Sequence, residues 1–184
     1  MELEKLQNEL LRKIGRNVLN FQQLEALLKA SIVRSQVQGD PRDLKSILAQ
    51  RERSFSTQTM GNLVGEHVRL IYGEPKGTST PSVPEDIPWI SYSFKFKTEE
   101  SFVVQRSSAL AKIVEERNKL IHQLLPGFDY SSAEACETMI KFLDEQNAFL
   151  ASEYAYVKQV CEAMIDLGEE AILELRKQLL GKRE

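Results

Sequence analysis

The sequence is poor in the residues that build metal sites and disulfide frameworks. Its 184 residues include two cysteines, Cys136 and Cys161, and two histidines, His67 and His122. Two cysteines are too few for a disulfide scaffold or for a zinc site of the Cys/His type. We therefore expect both cysteines to behave as small apolar side chains on helices, and we expect no metal ion and no other cofactor.

Long apolar runs are absent as well. No stretch of the sequence is apolar enough over the length needed to cross a bilayer. The first residues, Met1 to Lys5, are charged from the start and lack the apolar segment of a signal peptide. These features predict a cytoplasmic protein without membrane contact. Because hydrophobic residues make up 42% of the chain, we expect one domain with its own core over residues 1–184.

An excess of positive charge is also missing. The formal net charge is −3 and the isoelectric point is about 5.6. Since proteins that bind nucleic acid broadly usually carry a basic face, this balance disfavours such a binder. It is compatible with an enzyme whose basic site is small or lies in a groove between two subunits. A P-loop, a dinucleotide fingerprint and a nucleophile–His–acid set are not found.

The sequence is rich in apolar residues at three- and four-residue spacings, which predict amphipathic helices. The predicted helices cover residues 2–34, 42–72 with a weak point near 54–57, 99–124, and nearly fifty residues from Ser131 with a bend or break near Gly168. Four long segments of this kind predict an all-α, up-and-down helical bundle. His67 falls within the apolar face of the second segment, where we expect a core histidine without a chemical role.

Residues 73–98 interrupt this pattern before the third helix. Residues 73–88 are rich in Gly, Pro, Ser and Thr and predict a loop. Residues 90–97 alternate between apolar and polar and predict a short strand. A single strand requires a partner, either residues 83–88 in a hairpin or a second chain. We expect the strand's aromatic side chains to pack on the core; the alternative is that they stack on single-stranded RNA.

The residues that best carry chemistry lie together at the end of the third helix. Arg117, Asn118 and His122 precede Pro126-Gly127, where the helix is expected to stop, and span an arc of about 140° on a regular α-helix. Arginine can hold a phosphate with a planar fork of donors, and histidine can carry a proton near neutral pH. The alternative is an ordinary helix end, with His122 as a C-terminal cation.

The pattern predicts cleavage of an RNA phosphodiester without a metal ion. His122 would transfer a proton, and Arg117 would stabilise the negative charge of the transition state. Because one histidine supplies one proton-transfer group, a homodimer would supply the two that the reaction uses. Glu25 is interpreted either as a half-exposed edge residue or as a group that holds Arg117 or His122 in place, and Asn20 and Asn17 are further candidates for that role.

At these residues the sequence resembles the HEPN superfamily of helical-bundle proteins. The mark of that family is an Arg, a polar residue that is often Asn, and a His four to six residues on, which Arg117, Asn118 and His122 match. The segment 15–25 also resembles the long first helix of bacterial members. The resemblance implies a dimeric bundle with metal-independent endoribonuclease activity, Arg117 and His122 as the catalytic pair, and a role as a toxin or in phage defence.

The resemblance also implies a possible antitoxin or defence-system partner. Some toxins of the family carry a Tyr two residues after the His, which a nucleotidyltransferase partner modifies; here that position is Leu124, so that partner is not expected.

Two other functions fit the sequence. One is a non-enzymatic helical adaptor that binds another protein through its long last helix and its strand. The other is a small-nucleotide sensor that uses Arg117 for a phosphate and Trp89 for the base within a closed pocket of one subunit. The functions differ in whether Arg117 and His122 reach an accessible cleft or are occupied by partners inside the protein.

Overall fold

The structure, a computed structural model, confirms an all-α bundle with a small two-stranded sheet. It describes residues 2–73 and 89–181, without the side chains of 169 and 172–181. The elements are α1 (Glu2–Ser35), β1 (Gln36–Gly39), α2 (Leu44–Ser56), α3 (Met60–Ile71), β2 (Ile90–Ser93), α4 (Glu100–Asn118) and α5 (Ala133–Gly181). A π-helix (Lys119–Leu124) continues α4, and 3₁₀ turns cover Pro41–Asp43 and Leu125–Gly127.

The two longest helices, α1 and α5, run parallel to each other. Gln7 Nε2 donates to the Tyr130 carbonyl near the start of both helices. Further along, Asn20 Nδ2 donates to Asn147 Oδ1 at 2.9 Å. Since the contacting positions advance together in both helices, the two share a direction.

The other helices alternate in direction around this pair. Arg106 of α4 pairs with Glu153, whereas Lys119, further along the chain, lies over the ring of Phe142. Because the residue number rises along α4 while that of its contact falls along α5, α4 is antiparallel to α5. Lys29 bonds Ser56 while Val33 bonds Arg51, so α2 is antiparallel to α1. The helical bundle is therefore confirmed, but with five helices where the sequence predicted four, because the segment 42–72 divides into α2 and α3.

The core lies between α1, α3, α4 and α5. Its fully buried side chains come from positions three, four and seven residues apart, which is the spacing that places side chains on one helix face. They include Leu10, Leu24, Leu28 and Ile32 of α1, Leu63 and Ile71 of α3, Leu110 and Ile113 of α4, and Leu143, Leu150 and Val157 of α5. The large apolar area removed from water is what holds the helices together.

The predicted strand pairs with a segment that the sequence did not reveal as a strand. β2 pairs antiparallel with β1, with Gln36 opposite Ser93 and Gly39 opposite Ile90. β1 is a partner that the sequence did not suggest, and residues 83–88, one of the two partners expected, lie outside the described residues. Four residues with one apolar side chain give no readable period in β1. Phe94 is buried, so this aromatic ring does pack on the core as expected.

Local signals account for most of the helix boundaries. Asp40 accepts the backbone N–H of Arg42 and so caps the turn that begins at Pro41. The weak point near residues 54–57 is a real break, since α2 ends at Ser56 and Thr59 caps α3. Of the bend or break expected near Gly168, the break does not occur: α5 is one continuous helix through this residue. A single glycine costs about 1 kcal/mol relative to alanine, too little to end a packed helix.

The loop predicted over residues 73–88 falls mainly on 74–88, which lie outside the described residues. In the described part of the chain, no helix combines the length and the apolar character needed to span a membrane.

Candidate active site at the end of α4

The helix that carries Arg117 changes its geometry immediately after Asn118. The N–H of Lys119 is shared between the carbonyls of Glu115 and Glu116, and the N–H of Leu125 reaches the carbonyl of Leu120, five residues back. The second of these bonds spans five residues and is the type that defines a π-helix. This helix type is rare in proteins and often occurs at functional sites. Pro126 follows, has no N–H to continue the helix, and ends the segment where the sequence predicted.

The π-helix alters the relation between Arg117 and His122. On a regular α-helix, residues five positions apart point about 140° from each other. In a π-helix each N–H bonds the carbonyl five residues back instead of four. Each residue therefore rotates the chain by less than in an α-helix, and two residues five positions apart point in more similar directions. His122 is the fifth residue after Arg117, and the π-turn therefore narrows the arc between them.

Arg117 carries a half-buried charge. Its Nη1 donates to Asn118 Oδ1 at 3.1 Å. Among the described residues, no Asp or Glu forms an ion pair with it. Because a partly buried cation is costly without an anion, this guanidinium is suited to take up a phosphate.

His122 is exposed, and its ring makes no hydrogen bond or ion pair within residues 2–73 and 89–181. Both ring nitrogens are therefore free to transfer a proton. The structure brings Arg117 and Asn118 into contact and places His122 on the next turn of the same helix, without a bond to either.

The two candidates on α1 bond elsewhere. Glu25 is half-buried and pairs with Lys29, one turn on, at 2.9 Å. Asn20 bonds Asn147 of α5. Neither bond connects to Arg117 or His122. The contacts of Glu25 are those of a half-exposed residue at the edge of the helix, which was the first of its two interpretations.

A buried amide network, of which the sequence suggested only Asn17, reaches the end of α4 instead. Asn17 is fully buried; its Nδ2 donates to the Leu143 carbonyl at 2.8 Å and to Gln146 Oε1 at 3.0 Å. Gln146 Nε2 in turn donates to the Glu116 carbonyl at 3.2 Å and to Glu116 Oε2 at 3.1 Å. The network ties the residue before Arg117 to α5 and α1.

A readable signal for Gln146 did exist. It lies between Leu143 and Leu150 on the apolar stripe of α5, where a polar residue is unexpected. The sequence could not show which groups it bonds.

The other histidine belongs to a second polar cluster at the opposite end of α4. His67 is fully buried, as the sequence predicted, and its Nδ1 lies 2.7 Å from Ser31 Oγ. Ser31 Oγ also lies 2.8 Å from the Leu28 carbonyl, so the hydroxyl donates there and His67 Nδ1–H donates to Ser31. Burial, reinforced by the charge of Arg106, lowers the pKa of His67 to about 4.

The two charged groups of this second cluster pair with each other, although Arg106 Nε and His67 Nε2 are buried without a hydrogen-bond partner among the described residues. Arg106 and Glu153 form a buried salt bridge between α4 and α5, and the Arg106 guanidinium lies 3.9 Å from the centre of the Tyr156 ring. Tyr72 donates to the Tyr156 hydroxyl at 3.2 Å. Burial, with a smaller contribution from Tyr156, raises the pKa of Tyr72. This cluster is largely buried, with Tyr156 at its partly exposed edge, and it joins α3, α4 and α5.

In the part of the chain that the structure describes, no three His, Cys, Asp or Glu side chains are grouped so that they could hold a metal ion. Comparison of the chain with known proteins found no matching family model, no matching curated protein and no matching solved structure.

Proposed function

We propose that the protein is a metal-independent endoribonuclease of the HEPN type, in which two copies of the chain cut RNA with Arg117 and His122. The observation that supports this proposal is a half-buried Arg117 that has no acid partner among the described residues, followed on the adjoining π-helix by an exposed His122 whose ring bonds none of them. An ordinary core arginine is neutralised by a carboxylate, as Arg106 is by Glu153.

The proposed reaction is attack of the 2′-hydroxyl on the adjacent phosphorus. His122 of one copy takes the proton of the 2′-hydroxyl, and the new O–P bond forms as the bond to the 5′-oxygen breaks. The second copy's histidine gives a proton to that 5′-oxygen, leaving a 2′,3′-cyclic phosphate and a 5′-hydroxyl. Arg117 stabilises the added negative charge on the phosphorane-like transition state.

Asn118 has a positioning role in this scheme. Its Oδ1 accepts one N–H of Arg117, which fixes the guanidinium plane and leaves its other N–H groups for the phosphate. The biological setting that goes with the proposal is a cytoplasmic toxin or phage-defence nuclease, held inactive by an antitoxin or defence-system protein until it is needed.

The other two functions make different demands on the structure. The sensor requires Arg117 and Trp89 to share a pocket, but Trp89 adjoins β2, before the start of α4, and Arg117 lies near the helix's other end, about 25 Å away along its axis. The adaptor needs no free Arg117 or His122, and it is the outcome that a negative test of cleavage would favour.

The test is induction of the wild type, Arg117→Ala and His122→Ala in a bacterial host, with total RNA separated on a gel and its ends analysed for 2′,3′-cyclic phosphate. We expect the wild type alone to stop growth and cut RNA. In the purified protein, loss of one proton-transfer group should lower the rate of cleavage about 10²- to 10⁴-fold. Glu115→Ala, an exposed neighbour on α4, is the matched control and should behave as the wild type.

Because His122 is exposed, His122→Ala should retain the helical content and thermal stability of the wild type, so a loss of cleavage cannot be attributed to unfolding. Equal cleavage by the wild type and both variants would refute the assignment. Intact RNA with all of them, in the presence and absence of host extract, would favour the adaptor.

A further inference from the structure

The face of α1 that points away from the bundle exposes apolar side chains, where a surface helix usually carries charge. Leu11 and Leu19 are 55% and 58% exposed. Gly15 lies midway between them, and a Cβ built there would meet no atom within 4 Å. Steps of four residues place these three on one stripe of the helix. Asn8 and Gln22, both exposed, lie at its two ends and complete the outer stripe of α1.

The outer stripe carries no charge. The arginines beside it, Arg12 and Arg16, already pair with carboxylates of the same chain. The side chains of Asn8 and Gln22 form no hydrogen bond with any described residue. The stripe therefore offers apolar contact and two free amides, which suits another uncharged protein surface and not the phosphates of a nucleic acid.

The order of residue types in the outer stripe is the same in both directions from Gly15. A leucine lies four residues before it and four residues after it, and an amide side chain lies seven residues before it and seven after it. In two antiparallel copies of this helix centred on Gly15, Leu11 of each copy lies opposite Leu19 of the other, and Asn8 lies opposite Gln22. A surface that matches itself in this way forms a two-fold symmetric interface between identical chains, which favours a second copy as the partner.

Gly15 allows the two helices to approach closely at the centre of this arrangement. The axes of packed helices lie 8–10 Å apart, depending on the side chains between them. Because Gly15 has no side chain, the backbones can reach the lower end of this range, and the leucines then pack on either side of the crossing point. Axes about 8 Å apart still leave room for a methyl group, so the pair is compatible with alanine at this position.

From these features we infer that the outer stripe of α1 is an interface between two copies of the chain, which pair antiparallel about Gly15. The buried face of α1, with Leu24 and Leu28, is on the opposite side of the helix, so pairing leaves the core intact. Arg117 and His122 are not part of this surface, so the inference does not depend on the proposed nuclease. One pair of helices is a small interface, and we expect a dissociation constant in the micromolar range.

The first test measures the mass of the protein in solution by light scattering, from about 1 to about 100 µM, a range that brackets such a constant. We expect the mass of the wild type to double across the range. Leu19→Asp places an unpaired charge in the interface from each copy, and it should weaken association at least tenfold. Val104→Asp, at an equally exposed position on α4, is the matched control and should associate as the wild type.

Both positions are exposed, so both variants should keep the helical content of the wild type by circular dichroism. A chain that also pairs at the proposed nuclease cleft would form a tetramer, and Leu19→Asp should then halve its mass. A wild type of constant monomeric mass, or a Leu19→Asp variant that associates as tightly as the wild type, would refute the interface.

The second test determines the direction of the pair by disulfide formation. In the double variant Leu11→Cys with Leu19→Cys, an antiparallel pair brings each new cysteine opposite its counterpart, so mild oxidation should link two chains. Within one chain the two positions are about 12 Å apart along the helix, too far for a disulfide. The wild type, whose Cys136 is buried and Cys161 half-buried, is the control and should stay unlinked.

Each single variant, Leu11→Cys or Leu19→Cys, should link at least tenfold more slowly than the double variant, because its two copies lie about 12 Å apart across an antiparallel pair. Equally fast linking in the single variants would show that the helices pair in parallel and would refute the antiparallel interface. No linking in any of the three variants would refute the pairing of α1 altogether.

Discussion

An arginine and a histidine come together at each end of α4, in opposite physical states. Near its start, Arg106 of α4 and His67 of α3 are buried, and the arginine meets a carboxylate. At its other end, Arg117 is half-buried and meets no carboxylate among the described residues, and His122 lies in solvent. The difference teaches that an Arg and a His on an apolar stripe have no fixed role, because the facing helix decides whether their charge is neutralised.

The facing residues of α5 give the physical reason for this difference. Arg106 lies opposite Glu153, whereas the turn that ends in Glu116 lies opposite Gln146, a neutral amide. The closed end therefore gains a salt bridge, and the open end retains an unneutralised cation. Four changes test this comparison.

The largest effect is expected at the closed end. Glu153→Ala leaves the charge of Arg106 buried without a partner, which should lower the free energy of unfolding by about 3–5 kcal/mol. Urea denaturation followed by circular dichroism measures it, with Glu145→Ala, exposed on the same helix, as the control. Replacing both partners, as Arg106→Met with Glu153→Leu, should recover most of the loss. A loss below about 1 kcal/mol in Glu153→Ala would mean that the pair is solvated in solution.

The next effect is a pH dependence of stability to which the buried histidine should contribute. The pKa of His67 is about 4 in the folded protein and 6.5 in the unfolded chain, so the unfolded state binds the proton first. Stability is therefore present above pH 6.5 and is lost as the pH falls towards 4, by about 3 kcal/mol for this group. Denaturation at pH 7, 6, 5 and 4.5 measures the slope.

His67→Asn should flatten this slope relative to the wild type, and His122→Asn should leave it unchanged. If stability depends on pH with the same slope in both variants, the two histidines do not differ in burial in solution as they do in the structure.

A smaller effect is expected where the amide network meets the end of α4. Gln146→Leu removes the donor to the Glu116 carbonyl and should lower the free energy of unfolding by about 1–3 kcal/mol. It should also slow RNA cleavage, because the turn before Arg117 loses its anchor. Asn147→Leu is a close control, since Asn147 also bonds α1 but has no bond to α4. The network has no positioning role if both variants cleave RNA at the same rate.

The smallest effect concerns a glycine on α1 near the open end of the bundle. A Cβ at Gly15 would meet no atom within 4 Å, and Gly15 lies in the interior of a helix. Gly15→Ala should therefore raise the free energy of unfolding by about 0.5–1 kcal/mol. Gly168→Ala, in an equally open position on α5, should give a similar gain in thermal denaturation. A loss of stability in Gly15→Ala alone would indicate that another chain approaches α1 at this point.

Sequence reasoning found the helices of this fold because their signals are local. Pro41 and Pro126 mark the boundaries beside them, and the apolar stripes gave the buried face of each long helix. It failed for β1, because four residues carry too little pattern to be read without their partner. It placed Arg117, Asn118 and His122 on one helix end, but it could not foresee the π-turn, which changes the angle between them.

The sequence by itself determined which side chains lie on the buried stripes, including Arg106, Arg117, Gln146 and Glu153, because the period of a helix fixes the side on which each residue stands. Only the tertiary structure decided which of these polar groups meet. Direction and register between distant helices depend on the packing of whole faces, and no short stretch of sequence encodes them. That packing placed Glu153 against Arg106 and a neutral Gln146 beside the turn before Arg117.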